Sequence, residues 1–210
     1  MLIDQQEVNR ALQSVGIVPK GVLHVGAFDC EELPFYTGTL QIPAERCVWL
    51  EAMQHKVQEN KDRGVPNVYQ AVVTDKDNDT VTFHISNNGQ SSSVLEFGTH
   101  AIHHDWVWYV HEVKLRTTTI DTFFRSNGLD MSAYDFWNFD IQGAELMALR
   151  GASEALKYAK AIYLEVNTEE VYKGCGLIHE IDLLLSQNGF IRVITKMTTA
   201  NWGDALYVRV

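Results

Sequence analysis

The chain has 210 residues, 46% hydrophobic and 21% charged, with four prolines. That length suits one domain with a full core and excludes a disordered or fibrous chain. Its formal net charge of -10 repels phosphate backbones and excludes nonspecific nucleic-acid binding, while leaving room for a local pocket for one anionic ligand.

In chain order, residues 4–15 carry Val8, Leu12 and Val15 at helical spacing and stop at Gly16, so residues 1–19 read as an N-terminal helical extension. The run VLHVGA at 22–27 is apolar and broken by Gly26, which predicts a buried strand entering a tight turn. A helix is predicted over 31–40, a second buried strand over 47–50 ending at Glu51, and a helix over 57–63 closed by Gly64 and Pro66. Residues 67–75 read as a third strand, 80–85 alternate like a sheet strand, and 86–93 form a polar, glycine-containing loop. From Val94 to Arg116 the pattern is mixed, with Val113 and Leu115 alternating with charges as in a strand.

Residues 118–128 look like a capped helix ending at Gly128. A strand over 135–143 runs into a glycine turn, followed by a helix over 144–152 and a buried strand over 161–167. Residues 177–189 are an amphipathic helix with a glycine cap. The last strands, 190–197 and 205–210, are joined by too few residues for a crossover helix and so pair antiparallel. Strands alternating with helices imply a parallel sheet. The expected class is α/β: a Rossmann-like sheet, mostly parallel, with an antiparallel C-terminal hairpin strand, as in class I methyltransferases. No repeat, linker or composition break divides it, so 1–210 is read as a single domain.

Cys30, Cys47 and Cys175 are odd in number and widely spaced, which reads as free thiols in a reducing compartment. The N-terminus lacks the basic start and apolar core of a signal peptide, and no apolar run approaches transmembrane length. A soluble, cytoplasmic protein with no membrane and no nucleic-acid partner is expected.

Open parallel sheets bind ligands beyond the C-terminal ends of their strands. Those positions hold Gly26, Ala27, Phe28 and Asp29; Glu51; Val72 to Asp75; Asp140, Gln142 and Gly143; Glu165 and Asn167; and, in the last hairpin loop, Asn201 to Asp204. Every strand end offers a polar residue or a glycine. Glu51 is the sharpest signal: a carboxylate ending the second strand, about 25 residues beyond the glycine turn, is placed to accept both hydrogens of a ribose diol. A dinucleotide site needs GxGxxG so that a helix N-terminus meets a pyrophosphate. Here a single glycine stands in the turn, and Asp29 puts negative charge where pyrophosphate would lie. The turn suits a cationic, phosphate-free adenosine cofactor, S-adenosylmethionine.

Several further stretches, in order, carry a resemblance. GVLHVGAFDCEE, VWLEA, NNGQSSSVL, TTTIDTF, FDIQGAELMALRGA, IYLEVNTEEVYKGC and WGDALYV resemble the motifs of FkbM-like methyltransferases over roughly residues 20–210. The resemblance implies binding of S-adenosylmethionine and methyl transfer to a hydroxyl oxygen, with sugars and polyketide-type alcohols as acceptors. It places Gly26, Ala27 and Asp29 on the methionine portion of the cofactor, Glu51 on the ribose, Ala71, Val72 and Val73 beside the adenine, and the loop of Gln90, Ser91, Ser92 and Ser93 along the cofactor. His24, where many members carry Asp, and Asp140 and Gln142 at the fourth strand end belong with these cofactor contacts. Cys30 stands where many members have Gly.

Methyl transfer to an alcohol needs positioning and a general base. Asp140, Glu165, His179 and Asp204 are the candidates, with Asp140 first; a turn-capping role for Asp140 stays open, as does a helix-dipole role for Glu145. Glu165 and Asn167 suit either acceptor binding or loop support, and His179 an ordinary place in its helix. Trp202 with Asp204 suits a sugar, an aromatic face against C–H groups and a carboxylate on a hydroxyl, or else a packed hairpin turn. No metal site is expected: Asp140, Glu145 and Glu165 are oxygen donors, but nothing in the sequence makes them converge. His100, His103 and His104 match no zinc spacing and read as a solvated helical face. The resulting expectation is an O-methyltransferase acting on a small-molecule or glycan acceptor, such as a deoxysugar. The alternatives are a non-sugar alcohol acceptor, a nicotinamide-dependent oxidoreductase, or an inactive cofactor-binding scaffold.

Overall fold

A computed structural model describes all 210 residues. Seven strands form the main sheet: β1 (Val22–Val25), β2 (Cys47–Glu51), β3 (Val68–Gln70), β7 (Phe136–Phe139), β8 (Ala161–Asn167), β9 (Phe190–Met197) and β10 (Trp202–Arg209). Their order is β3-β2-β1-β7-β8-β10-β9. All neighbours are parallel except β10, which runs antiparallel to both β8 and β9. The predicted fold class is therefore observed. A smaller sheet of order β4-β6-β5 is built from β4 (Val72–Val73), β5 (Thr80–Ser86) and β6 (Tyr109–Thr118).

The period-2 side-chain alternation of strands sorts the core onto two faces. Leu23, Val48, Leu50, Ile162 and Leu164 point to one face, where they meet Phe123 and Phe124 of α4 (Ile120–Ser126), Leu146 and Leu149 of α5 (Glu145–Arg150), and Leu185 of α6 (Ile178–Gln187). Val22, Cys47, Trp49, Ala161 and Tyr163 point to the other, against Val8 and Leu12 of α1 (Gln5–Ser14), Phe35, Tyr36 and Val57 of α2 (Gln54–Asp62). Each fully buried large side chain stabilises the fold by about 2 kcal/mol. Asp4 caps α1 by accepting from the amides of Gln6 and Glu7.

Several boundaries differ from the sequence reading. Residues 67–75 are not one strand: at Ala71, whose amide donates to the Glu51 carbonyl (2.9 Å), the chain leaves the main sheet for the smaller one. Over 31–40 only one wide π-type turn forms, Phe35–Thr39, started by Pro34. Trp202, Gly203 and Asp204 belong to β10, not to a hairpin loop, because they continue the pairing with Asn167, Val166 and Glu165. The mixed stretch 94–116 holds a short helix, α3 (His100–His103), and the start of β6.

The strand order turns outward on either side of β1 and β7, so a crevice opens beyond the C-terminal ends of those two strands. No helix is long and apolar enough to cross a membrane.

Candidate active site

The crevice begins at Gly26. Its φ is +93°, and a Cβ there would lie 1.8 Å from the carbonyl oxygen of Asp140. Only glycine allows this close crossing of the ends of β1 and β7. Two connected cavities flank the crossing, and Gly26, Phe28, Gln90 and Asp140 border both.

The narrower cavity is an apolar slot between Met53, Ala71, Val72, Val73, Phe83, Ile141 and Ala144, with Glu51 and Ser92 at its edge. Glu51 is 5% exposed. One of its oxygens accepts from the Phe28 amide and the other from the Met53 amide, each at 2.8 Å. Burial pushes its carboxyl above the usual range, and these amides act in the opposite direction.

The wider cavity has about 340 Å³ of open space. Carboxylates of Asp29, Glu31, Glu32, Asp140, Glu165 and Asp204 line it, and no lysine or arginine does. Asp29 is already engaged, with Lys56 at 3.1 Å and Arg63 at 3.8 Å. His24 is buried at the base, stacked on Trp49 (4.8 Å between centroids), with Nδ1 2.9 Å from the Tyr36 hydroxyl. Burial lowers its pKa, so it stands neutral.

Asp140, Gln142 and Glu165 form the centre of this cavity. Gln142 has a left-handed backbone, φ +57°. Its Nε2 donates to Asp140 Oδ1 at 2.5 Å and lies 3.3 Å from Glu165 Oε2, while its Oε1 accepts from the Tyr172 hydroxyl at 2.5 Å. Asp140 is open to solvent through the cavity mouth but enclosed by protein on its other sides. That desolvation first, then Asp204 and Glu32, raise its carboxyl to about 6. Glu165 is buried, and burial followed by Glu145, Asp140 and Asp204 holds it well above the carboxylate range. Behind them Glu145, 1% exposed, accepts from the amides of Ile141 (2.9 Å) and Gly143 (3.3 Å), yet burial pushes it up to about 8.

The structure thus brings His24, Gly26, Ala27, Asp29, Ser91, Asp140, Gln142, Glu165, Trp202 and Asp204 to the wide cavity and Glu51, Ala71, Val72 and Ser92 to the slot. Three sequence candidates stand elsewhere. Ser93 faces neither cavity: its hydroxyl donates to the Gln142 carbonyl at 2.8 Å and braces the turn. Asn167 is wholly buried at the end of β8, borders neither cavity and has both amide atoms unpaired. His179 is exposed on α6. Asp204 lines the cavity, but its Oδ2 already accepts from the Tyr163 hydroxyl and the Leu2 amide.

The reading of His100, His103 and His104 as a solvated face holds for His103 and is corrected for His100 and His104. His100 is 6% exposed and stacks on Phe97 at 4.3 Å; Phe97 in turn stacks on Tyr109 at 4.0 Å. Burial, then His104, lowers His100 to about 4. His100, His104 and Trp106 form the outer wall of the wide cavity. Sequence reasoning missed this wall and also Met53 and Tyr172. Only Tyr172 carried a signal, its place in the EVNTEEVYKGC stretch.

A family model described as the methyltransferase FkbM domain matches residues 23–192. The chain belongs to the FkbM methyltransferase family. It is 26% identical over 114 residues to the 2-O-methyltransferase NoeI of Sinorhizobium fredii, covering 51% of this chain and 46% of NoeI. The chain thus spans about half the length of that curated relative. An O-methyltransferase from Bacillus cereus in complex with SAH has the same fold, with a TM-score of 0.53 at 12% identity over 98% of this chain and 80% of that one. A putative O-methyltransferase from Klebsiella pneumoniae matches with a TM-score of 0.52 at 14% identity, over 99% and 82%.

The methyl donor expected from the sequence of this FkbM-family chain is S-adenosylmethionine. The crevice fits such a donor. The slot is shaped for a flat apolar heterocycle, Glu51 stands where a diol would emerge from it, and the acid-lined cavity beyond, free of lysine and arginine, suits a cationic tail.

Proposed function

We propose that this FkbM-family chain transfers a methyl group to a sugar hydroxyl, with Asp140 as the general base. The observation that carries the proposal is the place of Asp140: it borders both cavities and has a carboxyl raised to about 6. In this reading Met53 and Ala71 to Val73 hold the adenine, Glu51 the ribose, and His24, Gly26 and Ala27 the methionine end. Bound S-adenosylmethionine supplies a methyl group already activated on a sulfonium. Asp140 would take the acceptor's proton as the acceptor oxygen receives that methyl group. A base with a pKa just below neutrality is largely ionised at pH 7 and still able to hold a proton.

A sugar is supported by the outer wall. Trp106 and Trp202 offer aromatic faces to C–H groups, while Asp204 and Glu165 are carboxyls for hydroxyls. The relative NoeI, a 2-O-methyltransferase, agrees with an oxygen acceptor. The test is methyl-labelled cofactor incubated with the protein and a panel of glycans and glycolipids. Label recovered as a base-stable sugar ether is the expected result; a base-labile ester or a methylamine would overturn the assignment.

A further inference from the structure

The Tyr172 hydroxyl has one proton, and it goes to Gln142 Oε1. This is the orientation that keeps the amide oxygen away from Asp140, the nearer carboxyl at 2.5 Å and the one largely ionised at neutral pH. Held this way, the two hydrogens of Nε2 face Asp140 and Glu165. Tyr172 is 1% exposed and cannot swing to water, so the amide has a buried lock at one end and an acid at each hydrogen of the other. The left-handed backbone of Gln142 is a conformation a glutamine seldom adopts, and it is what brings the side chain back over Asp140.

We propose, on the reading of the cofactor site given above, that Tyr172 and Gln142 are positioning residues that join Asp140 and Glu165 into one proton-sharing pair, and that the positive charge of the bound methyl donor expels a proton from this pair. The pair is enclosed by acids. Asp204 on β10, Glu32 after β1 and Glu145 on α5 face it, and the Met1 amino group is the nearby cation. His24, His100 and His104 line the same cavity. With so many acids around one amide, the pair cannot be doubly ionised cheaply while the cavity holds no cation. Because Asp140 borders both cavities, a ligand running from the slot into the wide cavity carries its charged centre past the pair. The expelled proton goes to solvent, so the one proton that Asp140 and Glu165 share in the free protein no longer competes for Asp140 once the methyl donor is in place.

The test needs no acceptor. S-adenosylmethionine and S-adenosylhomocysteine differ by the methyl group and its positive charge. Each is titrated calorimetrically into the wild-type protein in two buffers of different ionisation enthalpy, from mildly acidic to mildly alkaline pH, which counts the protons released. The methylated ligand is expected to expel more protons than the demethylated one, with a difference of up to about one proton. In Gln142→Met the carboxyls lose their shared donor, and in Tyr172→Phe that donor loses the hydroxyl that orients it, so the pH at which this difference peaks moves up, by about one unit in Gln142→Met and by less in Tyr172→Phe. A role limited to packing would lower affinity or melting temperature but leave that pH in place. Equal proton release by the two ligands in the wild-type protein overturns the proton-sharing pair. An unmoved peak in both variants overturns the role of Tyr172 and Gln142. If neither ligand binds the wild-type protein, the cofactor reading falls first, an outcome visible in the absence of any heat from S-adenosylhomocysteine.

Discussion

Replacing Glu51 by alanine tests the cofactor site most directly. The carboxylate has two tasks, and they separate in magnitude. In the free protein it accepts the amides of Phe28 and Met53, each at 2.8 Å, tying the turn after β1 to the end of β2. Removing it leaves two amides without their acceptor, at about 1–3 kcal/mol each if they stay dry. The adjoining slot lets water replace part of this, and burial of the carboxylate is itself costly, as its raised pKa shows. A net loss of about 2 kcal/mol follows, which lowers the melting temperature by roughly 4–8 °C for a chain of this size. On the proposed cofactor reading Glu51 also accepts two ribose hydroxyls on its remaining lone pairs. Losing two charge-assisted bonds, about 1.5 kcal/mol each at least, weakens S-adenosylhomocysteine by about a hundredfold or more. Calorimetry and a thermal melt on the same sample measure both numbers, and Glu51→Gln, which keeps one good acceptor, should fall between. A Glu51→Ala protein that binds S-adenosylhomocysteine within a few-fold of wild type would refute the assignment of this carboxylate to the ribose.

Gly26→Ala should be worse than any side-chain truncation, because the new Cβ meets the Asp140 carbonyl at 1.8 Å in a left-handed backbone. Loss of binding and a destabilisation of several kcal/mol are expected, and a wild-type melt with wild-type affinity would count against the crossing. Asp140→Asn should lower turnover by about 10²–10⁴-fold while the protein stays folded; unchanged turnover would remove Asp140 as the base. Stability should also depend on pH in a particular direction. Glu145, up to about 8, binds its proton more tightly folded than unfolded, so the stability it contributes is full below its ordinary value of 4.5 and is lost as pH rises through about 8. Asp140 adds a smaller effect of the same sign, since it is open to solvent. The lowered histidines His24 and His100 act in the opposite sense over the same range, so the expected signature is relative: Glu145→Gln should gain stability over wild type between pH 5 and pH 8. A difference between the two proteins that does not change across that range would contradict the neutral state of Glu145.

The strands of the main sheet were legible because burial on both faces writes continuous apolar runs, and VLHV, CVWL and AIYLEV are such runs. Once their order was set, Gly26, Glu51, Asp140 and Glu165 had to meet at one edge, since strand ends are local features. What the sequence hid depends on contacts between distant residues. Nothing near Gln142 announces that Tyr172 will hold its amide, and nothing near His100 announces Tyr172 as a ring neighbour. A histidine beside two others on a short polar stretch looks solvated until its stacking partners are known. Asn167 misled in the opposite way. It ends a strand as a ligand-binding residue would, but the bridge from its backbone to Leu177 covers it. The break at Ala71 was invisible for a related reason: both halves of 67–75 are genuine strand, and only the partners differ.

The smaller sheet divides the molecule's work unequally. Segment 80–118 provides the outer wall through His100, His104 and Trp106, yet none of its residues belongs to either of the two large core clusters. Stability is vested mainly outside this segment, which instead sends Phe83 and Ser92 to the slot and His100, His104 and Trp106 to the wall of the wide cavity. Substitutions in the wall therefore alter what can enter without loosening the frame that holds the methyl donor. Relatives that share the frame are free to diverge in the wall, and it is there that differences in acceptor choice should accumulate.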